Sequence, residues 1–195
     1  MTGALRSRRG TAALEFALGL PAMAICAVGS FELTYYVMAD LRLSLATQTM
    51  VELVASQTRI DSMSDLCAGA RMVMTPLASA PLSLAVASVT NSADHGVETD
   101  WQDLTCGGAA PIAAPAAAGA VMVPNVGDSV ILVEARYSYT SPLSLVLPAN
   151  RSLSRSATMR PYANQTVIGP QAALAPPWRA ASAAHAAIPA QGATT

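Results

Sequence analysis

Apolar and polar positions along the chain change rhythm three times. From Thr11 to Phe31 (TAALEFALGLPAMAICAVGSF) apolar and small residues run almost unbroken, and Glu15 is the single charge. A helix of that length rises about 31 Å, close to the hydrocarbon thickness of a bilayer, so residues 11–31 predict a transmembrane helix. The period then shifts. Leu33, Val37, Leu41 and Leu45, followed by Met50, Leu53 and Val54, recur at helical spacing, with Asp40, Arg42, Gln48, Glu52 and Gln57 between them. That is the pattern of an amphipathic stem over residues 32–60.

A third rhythm fills residues 61–166, an expected α+β head. Residues 62–75 (SMSDLCAGARMVMT) predict a short helix with Ser64 as N-cap, Asp65 in the first turn and Pro76 beyond its end. Leu82 to Val89 alternates apolar and polar residues as a half-buried strand does, residues 91–96 (NSADHG) form a turn, and Val97 to Leu104 returns as a second strand. Ser129 to Thr140 (SVILVEARYSYT) is the clearest strand, and Leu153 to Tyr162 the last. The connection GGAAPIAAPAAAG reads as a loop. Helices followed by short strands predict a small antiparallel sheet packed on the stem. Residues 167–195, rich in Ala and Pro, bury too little apolar surface to offset ordering entropy and are expected to be a disordered tail. Within that tail, Trp178-Arg179 is either a short contact motif or a stray aromatic.

Composition adds direction. The chain is 52% hydrophobic but only 5% aromatic, so its apolar content is mostly Ala, Leu and Val rather than bulky core residues. A net charge of −1 argues against a nucleic-acid partner, because phosphate neutralisation needs clustered cations. The cations that do cluster are Arg6, Arg8 and Arg9, ahead of any acid. By the positive-inside bias they predict that residues 1–10 stay cytoplasmic and that the head is exported across the inner membrane into the periplasm, which Glu32 and Asp40 beyond the span tolerate. An exported pair, Cys67 and Cys106, suggests a disulfide in that oxidising compartment; two buried free thiols are the alternative. Cys26 lies in the apolar run.

Glu15 decides how the N-terminus is read. A secretory signal peptide would have a shorter apolar core and a small-residue exit, and a lipoprotein signal would need a small residue where Ile25 precedes Cys26. An uncleaved anchor leaves the glutamate unexplained. Basic residues, Gly10, four further residues and then the Glu15-Phe16 pair resemble a type IV pilin-like leader. The stretch RRGTAALEFALGLPAM resembles the opening of the TadE-like family, pilin-like proteins of tight-adherence (Flp) pilus systems. VEARYSYTSPLSLVLP and LSRSATMRP are similar to that family's later strand pair.

The resemblance implies cleavage between Gly10 and Thr11 by a membrane-embedded prepilin peptidase. Thr11 would become the new N-terminus, with Glu15 and Phe16 as an assembly contact. The other partners it implies are pilin-like subunits and the pilus assembly machinery. Physical chemistry agrees. A carboxylate costs about 3 kcal/mol at mid-bilayer and less near the edge unless a countercharge meets it. The freed α-amino group of a neighbouring copy is such a countercharge, and the pair would set the axial stagger of packed helices. Snorkelling of Glu15 to the headgroups is the alternative. Pro21 predicts a kink, and Gly19 and Gly29 permit close helix approach. Loss of the leader leaves eight arginines against twelve acids, a side-chain charge of −4.

Candidate catalytic chemistry is sparse. His95 and His185 are the only histidines. Asp94, His95, Glu98, Asp100 and Asp103 lack the spacing and central glycine of a calcium loop, and read as a solvated turn. No phosphate-binding loop or nucleophile elbow appears. The expectation is a protein that is not an enzyme and uses no cofactor or metal: a pseudopilin or minor pilin-like component required for assembly of a tight-adherence (Flp type IVb) pilus. The rivals are an unprocessed, single-pass periplasmic scaffold or binding protein and a protein released by conventional signal peptidase.

Overall fold

A computed structural model describes residues 8–144, 146–148, 150–162 and 166–170, with side chains from Leu14 onward. The predicted span and stem are one helix, α1 (Arg8–Ala55), continuous through Pro21. Then come α2 (Ser64–Val73), strands β1 (Leu82–Ser92) and β2 (Gly96–Cys106), a short α3 (Pro115–Gly119) with a 3-10 turn (Ala120–Met122), β3 (Ser129–Thr140) and β4 (Asn150–Met159). The strands form one antiparallel sheet in the order β2-β1-β3-β4. The architecture is α+β, as the periodicity implies.

One face of the sheet packs on the upper half of α1 and on α2. Leu82, Leu84 and Val86 of β1, with Ile131, Val133, Ala135 and Tyr137 of β3, meet Ala39, Leu43, Met50 and Val54 of α1 and Leu66 and Ala70 of α2. The stem therefore turns a different side to the head than its leucine row suggests. Leu33, Val37, Leu41 and Leu45 are about half exposed, while Glu32, Ala39, Leu43, Ala46, Met50 and Val54 are buried. Strict four-residue steps drift about 40° per step around a helix, whereas alternating steps of three and four keep one face. Small residues (Ala39, Ala46) on the second series let the sheet approach closely.

Among the described residues the other face is covered only at one end. Val89, Val130 and Leu132 lie under Val123 and the α3 segment. Gly119 sits so close that a Cβ there would lie 3.0 Å from Val89. So the Ala/Pro connection expected as loop contains a short helix that roofs the sheet. β3 is buried on both faces near its start and alternates toward its end, where the roof stops. β4 is a largely exposed edge strand with Leu153 buried.

Two local expectations need correction. Ser64 is not the cap of α2 but its first helical residue; Met63 holds the cap position without a side-chain bond, and the Ser64 N–H donates to Ser62 Oγ (3.2 Å). The ordered chain also runs past residue 166. Ile60 N–H donates to the Ile168 carbonyl (2.9 Å), Ile168 N–H to that of Thr58 (3.1 Å), and Trp101 Nε1 to that of Val167 (2.8 Å). Gly169 lies flat on the Trp101 ring, where any Cβ would clash. This strap closes the end of α1 because it supplies backbone partners that the composition of the tail does not reveal. Trp178, Arg179 and His185 lie outside the described residues.

Candidate functional site

The lower half of α1 is the first candidate surface. Its apolar window is long enough to cross a membrane, and none of that window is buried against the head. Leu14, Phe16, Leu18, Met23 and Ile25 are all exposed, as is Cys26. Alanine and leucine favour helix here, and among the described residues no tertiary partner covers that window. Gly10 and Thr11 fall in the first turns of this helix. Glu15 lies one turn further on, exposed, and among the described residues no ion pair reaches it.

The second feature is a junction where α1 meets the head, and the sequence does not announce it. Glu32, the first residue beyond the predicted span, is fully buried. Its Oε2 accepts backbone N–H bonds from Val146 and Leu147 in the β3–β4 connection, both at 2.9 Å. Tyr36 packs edge-on against Tyr139 with ring centroids 5.6 Å apart, and the rings of Phe31 and Tyr35 meet at a tilt one turn lower, 4.6 Å apart. Burial raises the Tyr139 hydroxyl above the usual tyrosine range. The Ser141 hydroxyl works against that shift, and the charge of Glu32 and then Tyr35 add to it. Burial likewise raises Tyr137, with Tyr139 beside it. The signal for Glu32 lay in the packing series: Glu32, Tyr36, Ala39 and Leu43 are spaced by four, three and four, so the acid continues the buried stripe. Further up, Asp40 pairs with Arg155 of β4, and Arg42 Nη1 donates to the Val73 carbonyl at the end of α2 (3.2 Å).

Cys67 of α2 and Cys106 at the end of β2 are disulfide-bonded, with Cα atoms 5.8 Å apart. The bond ties the helix layer to an edge of the sheet. A groove of about 440 Å³ beside it is lined by Asp61, Ser64, Arg71 and Asp103 among others. The acidic stretch is not one solvated turn. Asp94, His95 and Glu98 border a shallow cleft, whereas Asp100 and Asp103 are buried in β2. Asp103 Oδ1 accepts bonds from the Thr105 N–H (3.0 Å) and hydroxyl (2.7 Å), so it shapes the strand end. Among the described residues no three His, Cys, Asp or Glu side chains converge as a metal site.

These features separate into an uncovered apolar rod with an acid near its start and a head clamped to the rod's upper half. Residues 10–51 match the model of the TadE-like protein family. The match begins at Gly10 and lies wholly within α1, so it covers the junction glycine, Glu15, the apolar window and most of the stem. It agrees with the resemblance drawn from the leader. The TadE-like segment ends before α2; the α2 and sheet region is described by its structure alone. No curated protein and no solved structure matches the chain.

Proposed function

We propose that the chain is a pseudopilin or minor pilin-like component required for assembly of a tight-adherence (Flp type IVb) pilus, with an assembly role rather than an enzymatic one. One observation carries the reading: the TadE-like match starts at Gly10 and coincides with an apolar helix half whose Glu15 has no partner among the described residues. A prepilin peptidase would cut after Gly10 on the cytoplasmic side. The mature helix would remain in the inner membrane, with the disulfide-bonded head in the periplasm. Each new Thr11 amino group would meet the Glu15 carboxylate of a neighbouring subunit, offsetting burial of that charge and setting the stagger between subunits.

N-terminal sequencing of the mature protein tests processing. Thr11 as first residue is expected; the original start identifies an unprocessed periplasmic scaffold, and a start near residue 30 a secreted protein. A Glu15→Gln variant should be processed but assemble poorly. Normal piliation by that variant, at parental levels, would refute the assembly role of Glu15.

A further inference from the structure

The described residues of the β3–β4 connection, Ser141–Ser144 and Val146–Pro148, reach back down α1, through Val146, to residues placed in the membrane span. Val146 Cγ2 lies 3.4 Å from where a Cβ on Gly29 would stand, and Gly29 is two residues inside the predicted end of that span. The segment carries no charge (SPLSLVLP), and both Leu143 and Val146 are more than half exposed. Its backbone is prepared for a place with little water. Pro142 and Pro148 have no N–H to satisfy. The Ser144 N–H donates to Ser141 Oγ (3.3 Å), and the Val146 and Leu147 N–H groups donate to Glu32. Unpaired backbone donors disfavour irregular chain in hydrocarbon, and here the N–H groups of Ser144, Val146 and Leu147 are spent within the protein. Phe31 and Tyr35 stand at the same level of α1, both partly exposed, as aromatic side chains do at a lipid–water boundary.

We propose that the β3–β4 connection, through Leu143 and Val146, is a second membrane contact, seated in the periplasmic leaflet at the boundary between headgroups and acyl chains and held against α1 by Glu32. The partner is lipid, because Val146 stands beside Gly29, where the uncovered apolar half of α1 ends, and Leu143, exposed in the same connection, extends that apolar surface. Glu32 is a positioning residue: it fixes the loop on the helix and so sets the depth and tilt of the head. The inference rests on α1 spanning the membrane.

The full chain, with Cys26→Ala and one new cysteine at Leu143, Leu18 or Val126, is labelled with an environment-sensitive fluorophore. It is reconstituted at low protein density in phosphatidylcholine–phosphatidylglycerol vesicles. Cys67 and Cys106 are bonded and do not take the label. The Leu143 label should be quenched at least twofold more by shallow than by deep nitroxide lipids, and several-fold less by aqueous iodide than the Val126 label at the far end of β3. Glu32→Ala should at least halve the shallow quenching at Leu143 and leave Leu18 unchanged. Equal iodide quenching at Leu143 and Val126, with Leu18 still quenched by deep nitroxide, would overturn the loop contact while the span stands. Iodide protection at Leu143 that grows with protein density would show that a second copy, not lipid, covers the patch, and also overturns it. A Leu18 label untouched by deep nitroxide would overturn the span and this inference together.

Discussion

Reduction of the Cys67–Cys106 bond should loosen the head by an amount fixed mainly by chain length. The two cysteines are 39 residues apart in sequence. Loop-closure entropy for a loop of that size gives about 4 kcal/mol of stabilisation at 25 °C. The closed loop contains most of α2, all of β1 and nearly all of β2, so the bond acts on the pairing of an edge strand and on the docking of α2. The full chain, in detergent and carrying Trp178→Phe, can be unfolded in urea with and without reductant while Trp101 fluorescence is followed. Trp101 is buried and bonded to Val167, so its emission reports head opening. At a urea sensitivity of about 2 kcal/mol per molar, the reduced midpoint should fall by about 2 M. A fall of less than about 0.5 M would mean under about 1 kcal/mol. Packing by Leu66 and Ala70 and the Arg42 bond to α2 would then suffice to hold the layer, and the loop-closure reasoning would fail.

The stem offers a paired comparison: Leu43→Ala should cost about 2–5 kcal/mol in the same unfolding assay, whereas Leu41→Ala, on the exposed row, should stay within about 0.5 kcal/mol. Equal effects would show that the wrong face of α1 has been assigned to the head. Glu32→Ala removes a charged acceptor from two backbone donors, each worth about 1.5–3 kcal/mol; hydrogen exchange at Val146 and Leu147 should therefore accelerate at least tenfold, and unchanged exchange would deny Glu32 its clamping role. Burial holds Tyr137 and Tyr139 protonated beyond their usual range, whereas the unfolded chain releases those protons near pH 10. Their contribution is thus complete below about pH 10 and lost as pH climbs through the raised values. Tyr139→Phe should flatten the alkaline fall of the urea midpoint, and an unaltered slope would contradict the assignment.

Much of the molecule was legible from local pattern. The long apolar helix followed from its unbroken apolar run, and the stem, all four strands and the α+β class from periodicities of 3.6 and 2, because each packed element must turn an apolar side to something. The Cys67–Cys106 bond is the pairing expected of two cysteines in an exported segment, and the TadE-like match was foreshadowed by Gly10, Glu15 and Phe16 in one short leader. What local pattern could not rank was two competing apolar faces on α1. The leucine row Leu33–Leu45 carries bulkier side chains, yet the sheet chose the face with Ala39, Leu43 and Ala46, because close approach of a sheet favours small residues alternating with large ones. That choice depends on the facing surface, which a helix pattern does not contain.

Only the tertiary structure gave Glu32 and Trp101 their partners. Val146 and Leu147 lie more than a hundred residues beyond Glu32, and Val167 lies 66 residues beyond Trp101. Both contacts join a side chain to backbone groups, and a backbone N–H or C=O leaves no mark in residue identity. The same reason hid the ordered strap within an Ala/Pro-rich segment. Periodicity along the chain marked the apolar rod, α2 and the strands but not the short α3, whose Ala/Pro run has no periodic face; the fold decided which side of the rod the head grips and which distant backbone groups lock it there.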